Sequence, residues 1–284
     1  MKDGNTAVTD LHSDMDPKRI TLGYSPCPND TFMFHGIASG ALCLSGYEFV
    51  EEIHDVETLN AMAMESRLDI SKLSFHAWLR LKDTYRLLHS GAALGFGCGP
   101  ILVAKRPLLH AAIDRCRIVF PGRWTTAHLL FRLWAPRAED KYFVTYDRIF
   151  EEIETGRADC GVIIHENRFT FEAAGFQAVV DLGAWWEEET GMPIPLGCIA
   201  AKADLGEDTL GAIASLIGES IRMATERPES VLPYMRRYAQ EMEVEVLQQH
   251  VRTFVNDFSL DLGVTGRTAV GELERWARDA GVIP

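Results

Sequence analysis

A short apolar run, Val162-Ile163-Ile164, ends abruptly in His165 and Glu166. Such a run reads as a buried strand, and open α/β sheets bind ligands outside the carboxyl ends of their strands. Histidine ionises near neutrality, so an imidazole at that place could take a proton from a bound molecule. A lone histidine there could equally be a core residue or a solvated strand end. The polar neighbours Glu166, Asn167 and Arg168 favour a lined site, with Glu166 able to orient the ring. His165 is therefore the candidate general base.

Other residues could serve the same site. Lys72 falls near the end of an apolar strand, where a lysine must meet an anion or escape to water. Ser74 and His76 follow it. Thr125-Thr126-Ala127 opens a helix behind the Pro121-Gly122 turn. Backbone N–H groups at a helix start bind carboxylate or phosphate, although an ordinary threonine cap gives the same pattern. Residues 25–31 join two prolines to the amide of Asn29, the carboxylate of Asp30 and two hydroxyls, which suits a binding loop or a well-capped turn. Trp185-Trp186, ahead of three glutamates, could stack on an aromatic ligand or equally be a lid or an exposed loop. There is no G-x-S-x-G elbow, P-loop or H-E-x-x-H motif. Gly95-Phe96-Gly97-Cys98-Gly99 is not followed by a helical pattern, so it is not a dinucleotide fingerprint. Nothing in the chain calls for a metal or an organic cofactor.

The elements that must position these groups alternate between strand and helix. A strand over 19–24 leads into the 25–31 loop, with Asn29, Asp30 and Thr31 as caps for a helix over 32–38. A strand at 47–53, an Asp55-capped helix over 56–65, a strand at 68–73, a helix over 75–82 and a strand at 100–104 follow. A fresh unit starts at 117–120 and runs through a helix ending near 133, a strand at 142–146, a helix over 147–154 and a strand at 160–164. Strands at 178–181 and 195–201 precede a helical remainder, where Ile213, Leu216, Ile217, Ile221 and Ala224 share one face. Arg67-Leu68-Asp69 and Arg157-Ala158-Asp159 each follow a helix end and precede a strand, 90 positions apart. One α/β unit used twice, once per domain, would set Lys72 and Ser74 across a cleft from His165. The expected division is a disordered tail over 1–18, a large discontinuous domain over 19–104 and 197–284, and a small inserted domain over 105–196. Its two crossing strands form a hinge.

The bulk composition limits the partners. With 28 basic against 41 acidic residues the net charge is -13, which argues against nucleic acid or an anionic membrane as the main partner. An anionic small molecule needs only local positive charge. The length of 284 residues and the 47% hydrophobic content suit two globular domains. Six scattered cysteines form no C-x-x-C pair and read as free thiols in a reducing compartment. No stretch is long and apolar enough to span a membrane, and residues 1–18 lack an apolar signal core. These features read as cytoplasmic. They leave the oligomeric state open.

Several motifs in order carry a family resemblance. Ser25-Pro26-Cys27-Pro28-Asn29-Asp30-Thr31-Phe32, Asp55-Val56-Glu57-Thr58-Leu59-Asn60, Lys72-Leu73-Ser74, and Pro121-Gly122-Arg123 with Thr125-Thr126-Ala127 come first. Ile163-Ile164-His165-Glu166, Asp181-Leu182-Gly183-Ala184-Trp185-Trp186 and Val255-Asn256-Asp257-Phe258-Ser259 follow. Together they resemble the 1,4-dihydroxy-6-naphthoate synthase family of the futalosine route to menaquinone. The resemblance implies an α/β fold like the type II periplasmic binding proteins, with two lobes of mixed sheets flanked by helices and a cleft between them. It implies a lyase reaction, cleavage of cyclic dehypoxanthinyl futalosine to 1,4-dihydroxy-6-naphthoate, with no cofactor. The family's base falls on His165, and its substrate-contacting segments on Lys72, Leu73 and Ser74 and on Thr126 and Ala127. Asn29 and Asp30 join the candidate binding set. The family's usual serine after His-Glu is Asn167 here, which puts a role for that position in doubt. The partner so implied is a small anionic aromatic substrate, its carboxylate met by Thr126 or Lys72. Two alternatives stand beside this: a non-catalytic solute-binding protein of the same fold, which needs no base, and chorismate dehydratase of the same route, against which the Ser-Pro-Cys-Pro-Asn-Asp-Thr motif argues.

Overall fold

The computed structural model describes residues 16–239 and 243–284. The tail expected over 1–18 lies outside the described residues as far as 15, and at Lys18 the chain is already a strand. The first lobe opens with β1 (Lys18–Tyr24), α1 (Pro28–Ala38), β2 (Tyr47–Ile53), α2 (Val56–Met64), β3 (Ile70–Ser74) and α3 (Phe75–Leu81). Two three-residue strands, β4 (Tyr85–Leu87) and β5 (Ala93–Gly95), complete it; strands so short give no readable alternation. The second lobe holds β6 (Ile101–Ala104), β7 (Ile118–Phe120), α4 (Thr126–Trp134), β8 (Lys141–Phe143), α5 (Ile149–Glu154), β9 (Cys160–Ile163), α6 (Asn167–Thr170), β10 (Gln177–Asp181) and α7 (Leu182–Thr190). The chain returns through β11 (Ile194–Lys202) and ends in α8 (Glu207–Glu226), α9 (Pro228–Tyr238), α10 (Val244–Phe254), α11 (Asp257–Leu260) and α12 (Gly263–Asp279).

The two sheets share one plan. The first runs β2-β1-β3-β11-β4, with β5 also on β11, and the second runs β8-β7-β9-β6-β10. In the first, β1 lies between parallel β2 and β3, with β11 antiparallel beyond β3; in the second, β7 lies between parallel β8 and β9, with β6 antiparallel beyond β9. The repeated Arg-x-Asp has a physical cause. Ser66 and Gly156, just before it, both turn left-handed, with φ of 55° and 71°. The N–H of Arg67 then reaches back to Met62 O at 2.9 Å, and that of Arg157 to Glu152 O at 3.0 Å, closing the preceding helix. Each aspartate next takes a backbone N–H at the equivalent strand, Asp69 from Thr21 of β1 at 2.9 Å and Asp159 from Arg117, just before β7, at 2.8 Å.

Several expectations are corrected. Helix α1 begins at Pro28, so Asn29, Asp30 and Thr31 form its first turn, and Cys27 is the N-cap without a side-chain cap bond. Proline is preset for that opening position and has no N–H to satisfy. Strand 101–104 pairs with β9 and β10 in the second sheet, so the chain changes lobe between β5 and β6 rather than after Ala104. Tyr146 lies in a 3₁₀ turn rather than a strand. Trp185 and Trp186 sit in α7, not in a lid or loop. Asp181 caps that helix through Gly183 N and Ala184 N. Trp186 is fully buried with Nε1 donating to Pro193 O at 3.2 Å, and Trp276 of α12 meets both rings edge-on.

The face expected on α8 packs against β1 and α1, where Ile213, Ile217 and Ile221 meet Ile20, Leu22 and Phe34. A larger core crosses between the lobes, joining Leu73 and Phe75 to Leu102, Ile118 and Leu129 and to Leu273 of α12. Among the described residues no helix is long and apolar enough to cross a membrane.

Candidate active site

β9 stops at Ile163, and at His165 the backbone turns left-handed with φ of 57°. That conformation is uncommon outside glycine, and histidine tolerates it better than bulky apolar residues do. Held strain of this kind gathers at functional positions. The imidazole crosses to the other lobe, where Nδ1 lies 3.4 Å from Cys27 Sγ. Its ring meets Tyr146 edge-on at 5.0 Å. Nε2 is buried with no hydrogen-bond partner among the described residues. Burial pushes the His165 pKa down to about 4; Asp30 and Asp55 pull it up and Lys72 pushes it further down. The ring is therefore neutral at pH 7. Burial and the nearby Glu166 and Asp30 hold the Cys27 thiol well above its usual range. It stays protonated, so the thiolate–imidazolium pair of a cysteine nucleophile does not form.

The facing wall comes from β3 and the first turn of α1. Alternation along the strand sends Lys72 and Ser74 to the cavity and Leu73 to the core. The structure thus places Leu73 away from the site that its motif suggested. Lys72 does not snorkel; it is buried and paired with Asp30. Asp30 is held in turn by Ser25 N at 3.1 Å, Ser25 Oγ at 2.7 Å and Asn29 Nδ2 at 2.8 Å. A buried ion pair is tolerable only when its remaining polar atoms are satisfied in this way.

The third wall is the start of α4. Thr125 is its N-cap, accepting from His128 N at 3.3 Å. Thr126 Oγ1 donates to Leu196 O at 2.6 Å. The first-turn N–H groups of Thr126 and Ala127 have no helical acceptor and so suit an anion. His76 lies behind this turn, with Nδ1 3.2 Å from Thr125 O, and does not line the cavity. At Gly122, φ is 155° and Glu57 of the first lobe approaches so closely that a Cβ would lie 2.6 Å from its carboxyl carbon. Glu57 accepts Arg123 N at 2.6 Å and Trp124 N at 3.0 and 3.1 Å, clasping one lobe to the other. The Asp55-to-Asn60 motif thereby does three things. Asp55 caps α2, Glu57 makes the clasp, and Asn60 holds Ser74 through N at 2.9 Å and Oγ at 3.1 Å.

These walls line a cavity of about 80 Å³, below the roughly 300–1,000 Å³ of a site that holds a drug-sized ligand. Asn29, Asp30, Lys72, Ser74, Thr126, Ala127 and His165 all line it. Asn167 does not; its Nδ2 reaches Tyr146 O at 3.4 Å. Arg168 does, tied to Asp181 at 2.8 Å and to Gly99 O. Ser25 of the candidate binding loop also lines the cavity, whereas sequence reasoning missed His250 and Phe254 of α10 altogether. His250 shares the buried face of Leu247 and Phe254, and a polar residue at a core-facing position was the available signal. Among the described residues no group of three or more His, Cys, Asp or Glu is placed to hold a metal.

A cavity between two α/β lobes, lined by a cation, a helix start and a neutral histidine, defines a protein built on the small-molecule-binding fold. Solved structures agree. The alkanesulfonate-binding protein of Xanthomonas axonopodis pv. citri, bound to MOPS, superposes with a TM-score of 0.70 at 12% identity, over 95% of this chain and 96% of that one. The ligand-binding component of a Staphylococcus aureus ABC-type import system gives 0.67 at 11% identity, over 94% and 93%. At such identities the likeness is one of fold. A crystal structure of an Archaeoglobus fulgidus protein reaches 0.88 at 32% identity, over 93% and 98%. A family described as menaquinone biosynthesis matches residues 20–279, and the chain belongs to that family. A Thermus thermophilus relative named 1,4-dihydroxy-6-naphthoate synthase is 46% identical over 254 residues, 89% of this chain and 92% of its own. A Streptomyces coelicolor relative of the same name is 36% identical over 276 residues, 95% and 96%. The chain is an enzyme of this kind.

Proposed function

We propose that this enzyme cleaves cyclic dehypoxanthinyl futalosine to 1,4-dihydroxy-6-naphthoate, with His165 as general base. The observation that carries the proposal is the state of His165: neutral, buried, its Nε2 unpartnered, on the cavity that holds Lys72 and the start of α4. In the tautomer this reaction requires, Nδ1–H points to Cys27 Sγ, 3.4 Å away, and the Nε2 lone pair takes a hydroxyl proton. The alkoxide collapses to a carbonyl as the carbon–carbon bond breaks. The released electron pair passes into the ring carbonyl, whose oxygen takes up a proton as the naphthalene diol forms. Aromatisation supplies driving force, and a positioned base contributes ~10²–10⁴-fold. The substrate carboxylate sits at the N–H groups of Thr126 and Ala127, within the field of Lys72. Closure of the lobes about their two crossings holds the substrate for attack. The six free cysteines support a cytoplasmic setting.

The test is incubation of the protein with cyclic dehypoxanthinyl futalosine and detection of the naphthoate by absorbance and mass. Product is expected. No product from well-folded protein would sink the proposal.

A further inference from the structure

His250 sits where the lobes meet, and the proposed reaction leaves it unused. It is buried on α10, on the same side as Leu247 and Phe254. A histidine on an apolar face is ordinarily core, but this one lines the same cavity as Lys72 and His165. Its hydrogen-bonding roles follow from its neighbours. Asp30, a carboxylate paired with Lys72, only accepts, so Asn29 turns its Nδ2 to it at 2.8 Å. Asn29 Oδ1 is left facing His250 Nε2 at 3.0 Å. An amide oxygen cannot donate, so His250 carries its proton on Nε2 and Nδ1 is the bare nitrogen. Nδ1 faces the other lobe, 4.0 Å from Glu166 Oε2, two acceptors that no hydrogen bond joins. The ring lies 6.3 Å from that of His165 and within 14° of parallel to it. Phe254 at 4.6 Å and Phe169 at 6.4 Å enclose it.

The geometry points to His250 as a positioning residue, a brace joining the Lys72–Asp30–Asn29 clamp of the first lobe to the His165–Glu166 segment of the second. It fixes the separation between the base and a substrate held by the clamp. A hydrogen bond ties the ring to α1, and packing beside Phe169 and the ring of His165 ties it to the second lobe. This role rests on the function proposed above.

The test compares His250→Gln with His250→Phe in the full chain, read against parent turnover of cyclic dehypoxanthinyl futalosine. Glutamine keeps a donor for Asn29 and gives up the ring that packs beside Phe169 and His165. It is expected to hold KM within about threefold while kcat falls roughly 10- to 100-fold, the scale of a small misplacement at a reacting centre. Phenylalanine keeps a ring and loses the donor to Asn29, so the clamp is loosened and KM should rise. Parent-like kcat in the folded glutamine variant overturns the brace, as does parent-like kcat and KM in the folded phenylalanine variant. Should a variant fold poorly, ¹⁵N NMR of the histidine rings in the unliganded parent decides. His250 is expected with Nε2 protonated and Nδ1 bare between about pH 6 and pH 8, and the opposite tautomer overturns the proposal. A parent that forms no naphthoate sinks the reaction, and the tautomer still judges His250.

Discussion

A neutral imidazole at pH 7 is set here by surroundings rather than by sequence neighbours. The contact made by His165 Nδ1 is to Cys27, 138 positions away. The pH dependence follows. A base with a pKa near 4 remains competent well below the usual histidine range. The acid limb of kcat/KM is therefore expected near pH 4 to 5 rather than near 6.5, and a pH–rate series on the parent measures it. Lys72 gives a second prediction. Its removal as Lys72→Met strands Asp30 as a buried charge, at a cost of about 3–5 kcal/mol in urea unfolding. Adding Asp30→Asn should recover part of that loss, a coupling that a snorkelling surface lysine would not show.

At the scale of elements, the helix starts and turns decide how the lobes meet. Glu57 in the first turn of α2 accepts backbone N–H groups from the loop before α4. Bonds to a charged acceptor of this kind contribute about 1.5–3 kcal/mol. Glu57→Ala should therefore weaken the closed arrangement and raise KM by roughly ten- to a hundredfold, with kcat less affected; steady-state kinetics would show the split. Behind the same turn, burial pushes His76 down to about 3 and His128 to about 4. Both fall below the unfolded value near 6.5, so between about pH 6.5 and pH 4 the unfolded chain binds protons that the folded chain refuses. Stability should hold above that window and fall through it on acidification, by about 1.4 kcal/mol per pH unit for each histidine. Urea unfolding at pH 7 and pH 5 checks the sign. Much of this level was legible in sequence. Asp55, Thr125 and the Arg-x-Asp repeat announced their elements because capping and helix closure are local. The start of α1 was misjudged because the proline rule competes with three good cap residues in a row. Trp185 and Trp186 were misjudged because only α12, distant in sequence, shows what covers them.

For the whole molecule, alternation and the repeat were enough to expect two α/β lobes, and the sheets bear out a shared plan. The lobe crossing before β6 was not legible, since an apolar strand of four residues pairs equally well with either sheet. The site was half legible. His165, Lys72, Thr126 and Ala127 stand at strand ends and a helix start, where local pattern points. His250 arrives from a C-terminal helix more than 80 positions beyond the base, and only tertiary packing brings it to the cavity. The family motifs now have physical reasons: caps, a clasp, a buried ion pair and a left-handed base. Their convergence on one enclosed cavity makes the base the point on which the account stands. The direct measurement is naphthoate formation from cyclic dehypoxanthinyl futalosine by His165→Gln beside the parent, both shown folded by circular dichroism. The expected result is a fall of roughly 10²–10⁴-fold in kcat with KM little changed; a folded variant that keeps the parent rate would contradict it.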